Sequence, residues 1–116
     1  MTGFHEWALL NFYRVVARKG DTVAILNTGP PSDLTDINAY WEISFGPGYG
    51  ERTQIVRTEE ERPVTALRSL GIEPEDVDHV IVTPLVAYTA ADLSAFPNAI
   101  YTIGRRGWVE RLAPTH

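Results

Sequence analysis

The sequence predicts a single α+β domain, and three observations predict it. Two runs rich in aromatic and β-branched residues flank the short polar turn Arg18-Lys19-Gly20-Asp21, the signature of a hairpin. A helical stretch then stops at Gly71 and leads into the apolar run Val77 to Thr83. A further strand and helix follow it up to Leu112.

The elements read in order as follows. Trp7 to Val16 is the first strand and Thr22 to Leu26 the second, paired antiparallel across the turn. Asn27-Thr28-Gly29-Pro30-Pro31 ends regular structure, because two adjacent prolines remove backbone donors. Residues 32 to 56 show no clean period and are expected to be a long, partly irregular excursion. Its aromatic residues Tyr40, Trp41, Phe45 and Tyr49 either pack into the core or form an apolar lip over a ligand or partner. Thr58-Glu59-Glu60-Glu61 has capping-box spacing, yet Pro63 belongs in a first helical turn, so the next helix begins either at that capping box or at Arg62. Ala66, Leu67 and Leu70 would share its apolar face. Glu73-Pro74-Glu75-Asp76 is a turn, Val77 to Thr83 a buried strand and Pro84 to Thr89 a loop. Ala90 to Phe96 reads as a short helix, Ala99 to Ile103 as a strand and Arg105 to Leu112 as a helix.

Composition narrows the function classes. With 116 residues and 44% hydrophobic content, the chain holds enough apolar material for one core. A formal net charge of −5 disfavours nucleic acid and anionic membrane surfaces as partners. The absence of cysteine excludes disulfides and thiolate metal sites. No basic stretch followed by a long apolar run opens the sequence, and no apolar run approaches the roughly 20 residues that cross a bilayer, so a cytoplasmic protein is expected.

The usual carriers of chemistry are sparse. His5 and His116 read as surface residues near the termini, and His79 as part of a strand. No two histidines have metal-ligand spacing, so no cofactor or metal is expected. Gly46, Gly48 and Gly50 lack the strand–loop–helix setting of a phosphate cradle and read as a flexible loop. Glu59 to Glu61 read as a solvated helix start. Ser32, Ser44, Ser69 and Ser94 lack the context of a nucleophile elbow.

One ordered set of segments points to a family. Ile25-Leu26-Asn27-Thr28-Gly29 is similar to the Val-Asp-Thr-Gly turn of metallo-β-lactamase-fold lactonases and related hydrolases. Leu70-Gly71 through Val82-Thr83 resembles the stretch that leads into their metal motif, and Phe96-Pro97-Asn98-Ala99 and the Arg105–Trp108 region resemble the strand and helix after it. The resemblance implies the N-terminal half of an αββα sandwich, residues 1 to 116 forming one half-size domain with a mostly antiparallel or mixed sheet and helices on one face. It also implies where a metal would sit, in a Thr-His-x-His-x-Asp-His run. Here that run is Thr83-Pro84-Leu85-Val86-Ala87-Tyr88-Thr89. The two histidines fall on Pro84 and Val86, the aspartate on Tyr88, the last histidine on Thr89, and the turn carboxylate on Asn27. Proline and valine carry no donor atom, and threonine and neutral tyrosine are poor zinc ligands. The family's hydroxide nucleophile therefore has no metal to generate it in this half.

Three functions compete. The first is a non-catalytic protein whose emptied pocket, lined by Pro84, Val86, Tyr88, Thr89 and Asn27 with Trp41 and Tyr49 as a lip, holds an apolar small molecule or a partner. The second is a metal-dependent hydrolase of lactones or esters whose remaining ligands come from a missing C-terminal half. The third is metal-free catalysis with Tyr88 as proton donor, which needs a charged neighbour or a strongly shifted tyrosine. A lone half would expose a sheet face, so a homo-oligomer or a complementary C-terminal-half chain is expected to complete it.

Overall fold

The computed structural model describes residues 11–86 and 88–112. Four strands form one sheet in the order β1-β2-β3-β4: β1 Val15–Lys19, β2 Thr22–Leu26, β3 His79–Val82 and β4 Ile100–Ile103. Strands β1 and β2 pair antiparallel, with Lys19 opposite Thr22, so the turn is only Gly20-Asp21. Gly20 takes φ 59°, a conformation open to glycine at no steric cost. Strand β2 pairs parallel with β3, and β3 with β4. Parallel neighbours require crossovers. The first carries helices α1 (Thr35–Phe45), α2 (Tyr49–Arg52) and α3 (Pro63–Ser69), and α4 (Arg105–Leu112) follows β4.

Side chains alternate across the sheet, and the pairing register lines up like-facing residues. Val23, Ile25, Val80 and Val82 are buried on one face, where they cluster with Leu67 of α3 and with Ile72, Val77 and Phe96. Val16, Tyr101 and Ile103 extend that face across the outer strands. The opposite face carries Val15, Leu26, Ile81 and Ile100 and is open; Val15 is 52% exposed, Ile81 39% and Ile100 65%. The expectation of an α+β fold with a mixed sheet is met.

Several local expectations are corrected. The first strand does not start at Trp7: among the described residues, 11 to 14 have no ladder, and Trp7 to Leu10 lie outside them. Residues 32 to 56 are largely helical. Helix α1 carries no periodic signal in the sequence because only Ile37 among its residues is buried, so it lacks an apolar stripe. Helix α3 starts at Pro63, with Arg62 as N-cap. Its missing N–H is one a first turn cannot use anyway. Gly71, at φ 74°, stops it, but Leu70 is exposed rather than on the buried face. Ala90 to Phe96 holds a single 3₁₀ turn, Leu93–Ala95. His5 and His116 lie outside the described residues.

Candidate functional site

The carboxyl ends of β2 and β3 lie side by side, the place where open sheets with parallel strands put their sites. Two loops leave there, Asn27-Thr28-Gly29 and Thr83 to Thr89. The backbone stitches them together. Asn27 N–H donates to Ile81 O at 2.8 Å, Thr28 N–H to Thr89 O at 2.9 Å, and Ala91 N–H to Gly29 O at 3.3 Å.

Side chains complete the seam. Asn27, at φ 63°, donates through Nδ2 to Thr83 O and accepts from Thr83 N–H through Oδ1. Thr28 is buried, and its hydroxyl donates to Ala91 O at 2.6 Å. The Thr89 hydroxyl, also buried, turns back to Pro84 O and lies 3.2 Å from Val86 O. The loop is therefore closed by its own hydrogen bonds, with Thr89 bridging to the residue that begins it. The Thr83-Pro84 peptide is cis.

This donor set does not fit a divalent metal. Both polar atoms of Asn27 are used by Thr83, and the hydroxyl of Thr89 faces carbonyls inside the loop. Pro84 and Val86 offer no donor atom. Among the described residues, no three His, Cys, Asp or Glu side chains gather where they could hold a metal ion. His79 sits mid-sheet on β3, paired with Ala24 and Ile100. The Tyr88 ring lies 5.2 Å from the Phe12 ring, an apolar contact that cannot supply or take a proton. Leu85 meets Gly107 of α4, where a Cβ would come within 3.2 Å of it.

The structure thus brings together Asn27, Pro84, Val86, Tyr88 and Thr89. Trp41 and Tyr49 belong to a ladder of rings along α1 and α2. Tyr40–Trp41, Trp41–Phe45 and Phe45–Tyr49 centroids are 5.5, 5.6 and 5.7 Å apart. Tyr40 and Phe45 are exposed, so the ladder lies outside the core. The glycines nearby bind an internal anion: the Glu42 carboxylate accepts from Gly48 N–H at 2.9 Å and Gly50 N–H at 2.8 Å. Those bonds, Gly50's first, hold the Glu42 carboxyl below the usual range.

One feature had no sequence signal, an open groove of about 500 Å³ lined by Ser32, Asp33, Leu34, Arg57, Glu59 and Arg62. Its residues are drawn from segments more than twenty positions apart, and only folding joins them.

No helix among the described residues is long and apolar enough to cross a membrane. No family model matches the sequence. No curated protein matches it either. Solved structures do match in shape. An N-acyl homoserine lactone hydrolase with the product N-hexanoyl-L-homoserine at its catalytic metal centre shares 23% identity, with a TM-score of 0.66 over 88% of this chain and 40% of that one. A substituted AiiA from B. thuringiensis with N-decanoyl-L-homoserine bound at the active site matches equally, at 23% and 0.66. The hydrolase AbOPH of the beta lactamase superfamily is more distant, at 18% identity and 0.51, with 29% of its length covered. This chain spans about two fifths of the two lactone-hydrolase structures. Its fold is accordingly a partial metallo-β-lactamase-like fold.

Proposed function

We propose that this chain is a non-catalytic relative of the lactone hydrolases, a partner- or ligand-binding protein whose open sheet face is covered by another chain or a second copy. One observation carries the reading: the loop at the ends of β2 and β3 spends its polar atoms on itself, through Asn27–Thr83 and Thr89–Pro84. A catalytic loop would present such atoms outward to a metal or substrate. The apolar surface of Pro84, Val86 and Tyr88, with Phe12 beside it, suits an apolar small molecule or partner side chain. Val15, Leu26, Ile81 and Ile100 suit a second layer, since an apolar sheet face gains by leaving water. The proposed location is the cytoplasm.

Light scattering and elemental analysis of the purified protein test this together. The expected result is an assembly larger than one chain, reduced towards monomer by Ile81→Lys, with metal far below one equivalent. A cooperative monomer would refute the covered face. A full equivalent of tightly held zinc would refute the closed loop.

The second reading is a metal-dependent lactone or ester hydrolase with ligands supplied by further sequence. It is favoured by the acyl-homoserines bound at the metal centre or active site of the similar structures. Chelator-sensitive lactone hydrolysis by this chain, with zinc or manganese added, would establish it in place of the first.

A further inference from the structure

The groove beside the Gly29-Pro30-Pro31-Ser32 strip holds an unusual charge arrangement. Arg57 is half-buried, and its terminal nitrogens donate to Pro30 O at 3.3 Å and Ser32 O at 2.7 Å. Arg14, also half-buried, lies across Gly29 and donates to Glu61 O. Both guanidiniums are held by neutral carbonyls, and among the described residues neither has a carboxylate within ion-pair distance. They are close enough that Arg57, after burial itself, pushes the Arg14 pKa down, with Glu61 opposing.

The carboxylates around them have other duties. Asp33 accepts from Thr35 N–H at 2.9 Å, Glu61 from Thr58 N–H at 2.8 Å, and Glu59 pairs with Arg62 at 2.9 Å. Asp92 accepts from Ser32 N–H at 2.6 Å. Arg57 lines the groove with its charge on two neutral carbonyls, and an anion seated there would pair with it. A guanidinium has more N–H donors than two carbonyls consume, and its planar fork matches an oxyanion. The groove, at about 500 Å³, is of ligand size.

We propose that this groove binds a small oxyanion, a phosphate or carboxylate group seated on the free edge of Arg57 with Arg14 as the second charge behind it. The site is separate from the loop at the ends of β2 and β3. It stands or falls independently of the function proposed above.

The test is a titration of the full chain followed by nitrogen–proton NMR, with inorganic phosphate, acetate and chloride as probes at matched ionic strength. Saturable shifts are expected at the amides of Ser32, Asp33, Thr58 and Glu59 with phosphate, acetate or both, and none with chloride. The oxyanion that saturates identifies the ligand class. Arg57→Gln should weaken binding about tenfold or more, as loss of a charged hydrogen bond does. Arg14→Gln should weaken it less, and Arg106→Gln, on α4, should leave it unchanged. Shifts that never saturate, or that chloride reproduces, would overturn the proposal. So would undiminished binding by folded Arg57→Gln; should that variant not fold, the wild-type titration decides alone.

Discussion

Asn27 and Thr83, 56 positions apart, hold each other in a closed amide ring: Asn27 Nδ2 donates to Thr83 O at 3.0 Å, and Thr83 N–H returns a bond to Asn27 Oδ1 at 2.8 Å. An asparagine can do both at once, and a carboxylate cannot. The amide at position 27 is therefore a structural part of the seam. Its backbone also sits at φ 63°, a region asparagine tolerates better than most residues. Asn27→Asp keeps that tolerance and the acceptor. It loses the donor and sets a negative oxygen against Thr83 O. Urea unfolding at neutral pH should show a loss of about 1 kcal/mol, with no gain in zinc binding. A stability unchanged by the substitution would mean that the ring contributes nothing.

The same residues mark what could be read in advance. That Pro84 and Val86 carry no donor atom, and that Tyr88 and Thr89 offer only hydroxyls, is visible in the sequence, because residue type alone decides it. The self-closure is not, because it depends on which backbone groups lie opposite Asn27 and Thr89 after folding. The hairpin, α3 and α4 were legible from local chemistry: Gly20 in the turn, Pro63 at a helix start and Gly71 at its end. Helix α1 was not, since Tyr40, Ile43 and Phe45 are exposed and blur its period. Aromatic and β-branched content suggested a strand before Val15, but a strand also needs a partner, and β2 ends opposite Val15 at Leu26. The groove at Arg57 depends entirely on tertiary placement.

The division between core and ring ladder gives a contrast in stability. Phe96 is 1% exposed at the centre of the cluster that holds Val77 and Val80, whereas Phe45 is 57% exposed between Trp41 and Tyr49. Phe96→Ala should cost about 3–5 kcal/mol, a large part of what a small domain has. Phe45→Ala should cost about 1 kcal/mol, the scale of its ring contacts. Calorimetry on the two variants would show the difference directly. Equal losses would place the ladder inside the core.

Glu42 links stability to pH. Its carboxylate, held below the usual glutamate range by Gly50 and Gly48 N–H groups, is bound more tightly when charged in the folded state than in the unfolded chain. Such a group contributes stability above its unfolded pKa and loses it as pH falls through the folded pKa. Glu42→Gln removes that dependence. The wild type should exceed the variant in stability at neutral pH, with the gap closing on acidification below the ordinary glutamate range. Denaturant midpoints measured across that range check it; a gap that widens in acid has the wrong sign.

Two glycines with similar backbones should respond differently to a methyl group. Gly71 takes φ 74° with open space where a Cβ would stand, so Gly71→Ala meets only the left-handed backbone term, about 1–2 kcal/mol. Gly29 takes φ 85°, and its Cβ would lie 3.3 Å from Arg14 Cδ and 3.6 Å from Arg14 Nε. Gly29→Ala meets the same backbone term and also crowds the Arg14 side chain, which donates to Glu61 O and must give by a few tenths of an ångström. It should therefore be the more damaging substitution. Truncating Arg14 to alanine removes the clash, so the double variant should be more stable than the sum of the two single losses allows. The coupling expected for residues in contact is about 0.5–3 kcal/mol. Strict additivity in that cycle would show that Arg14 does not lie over Gly29 in solution.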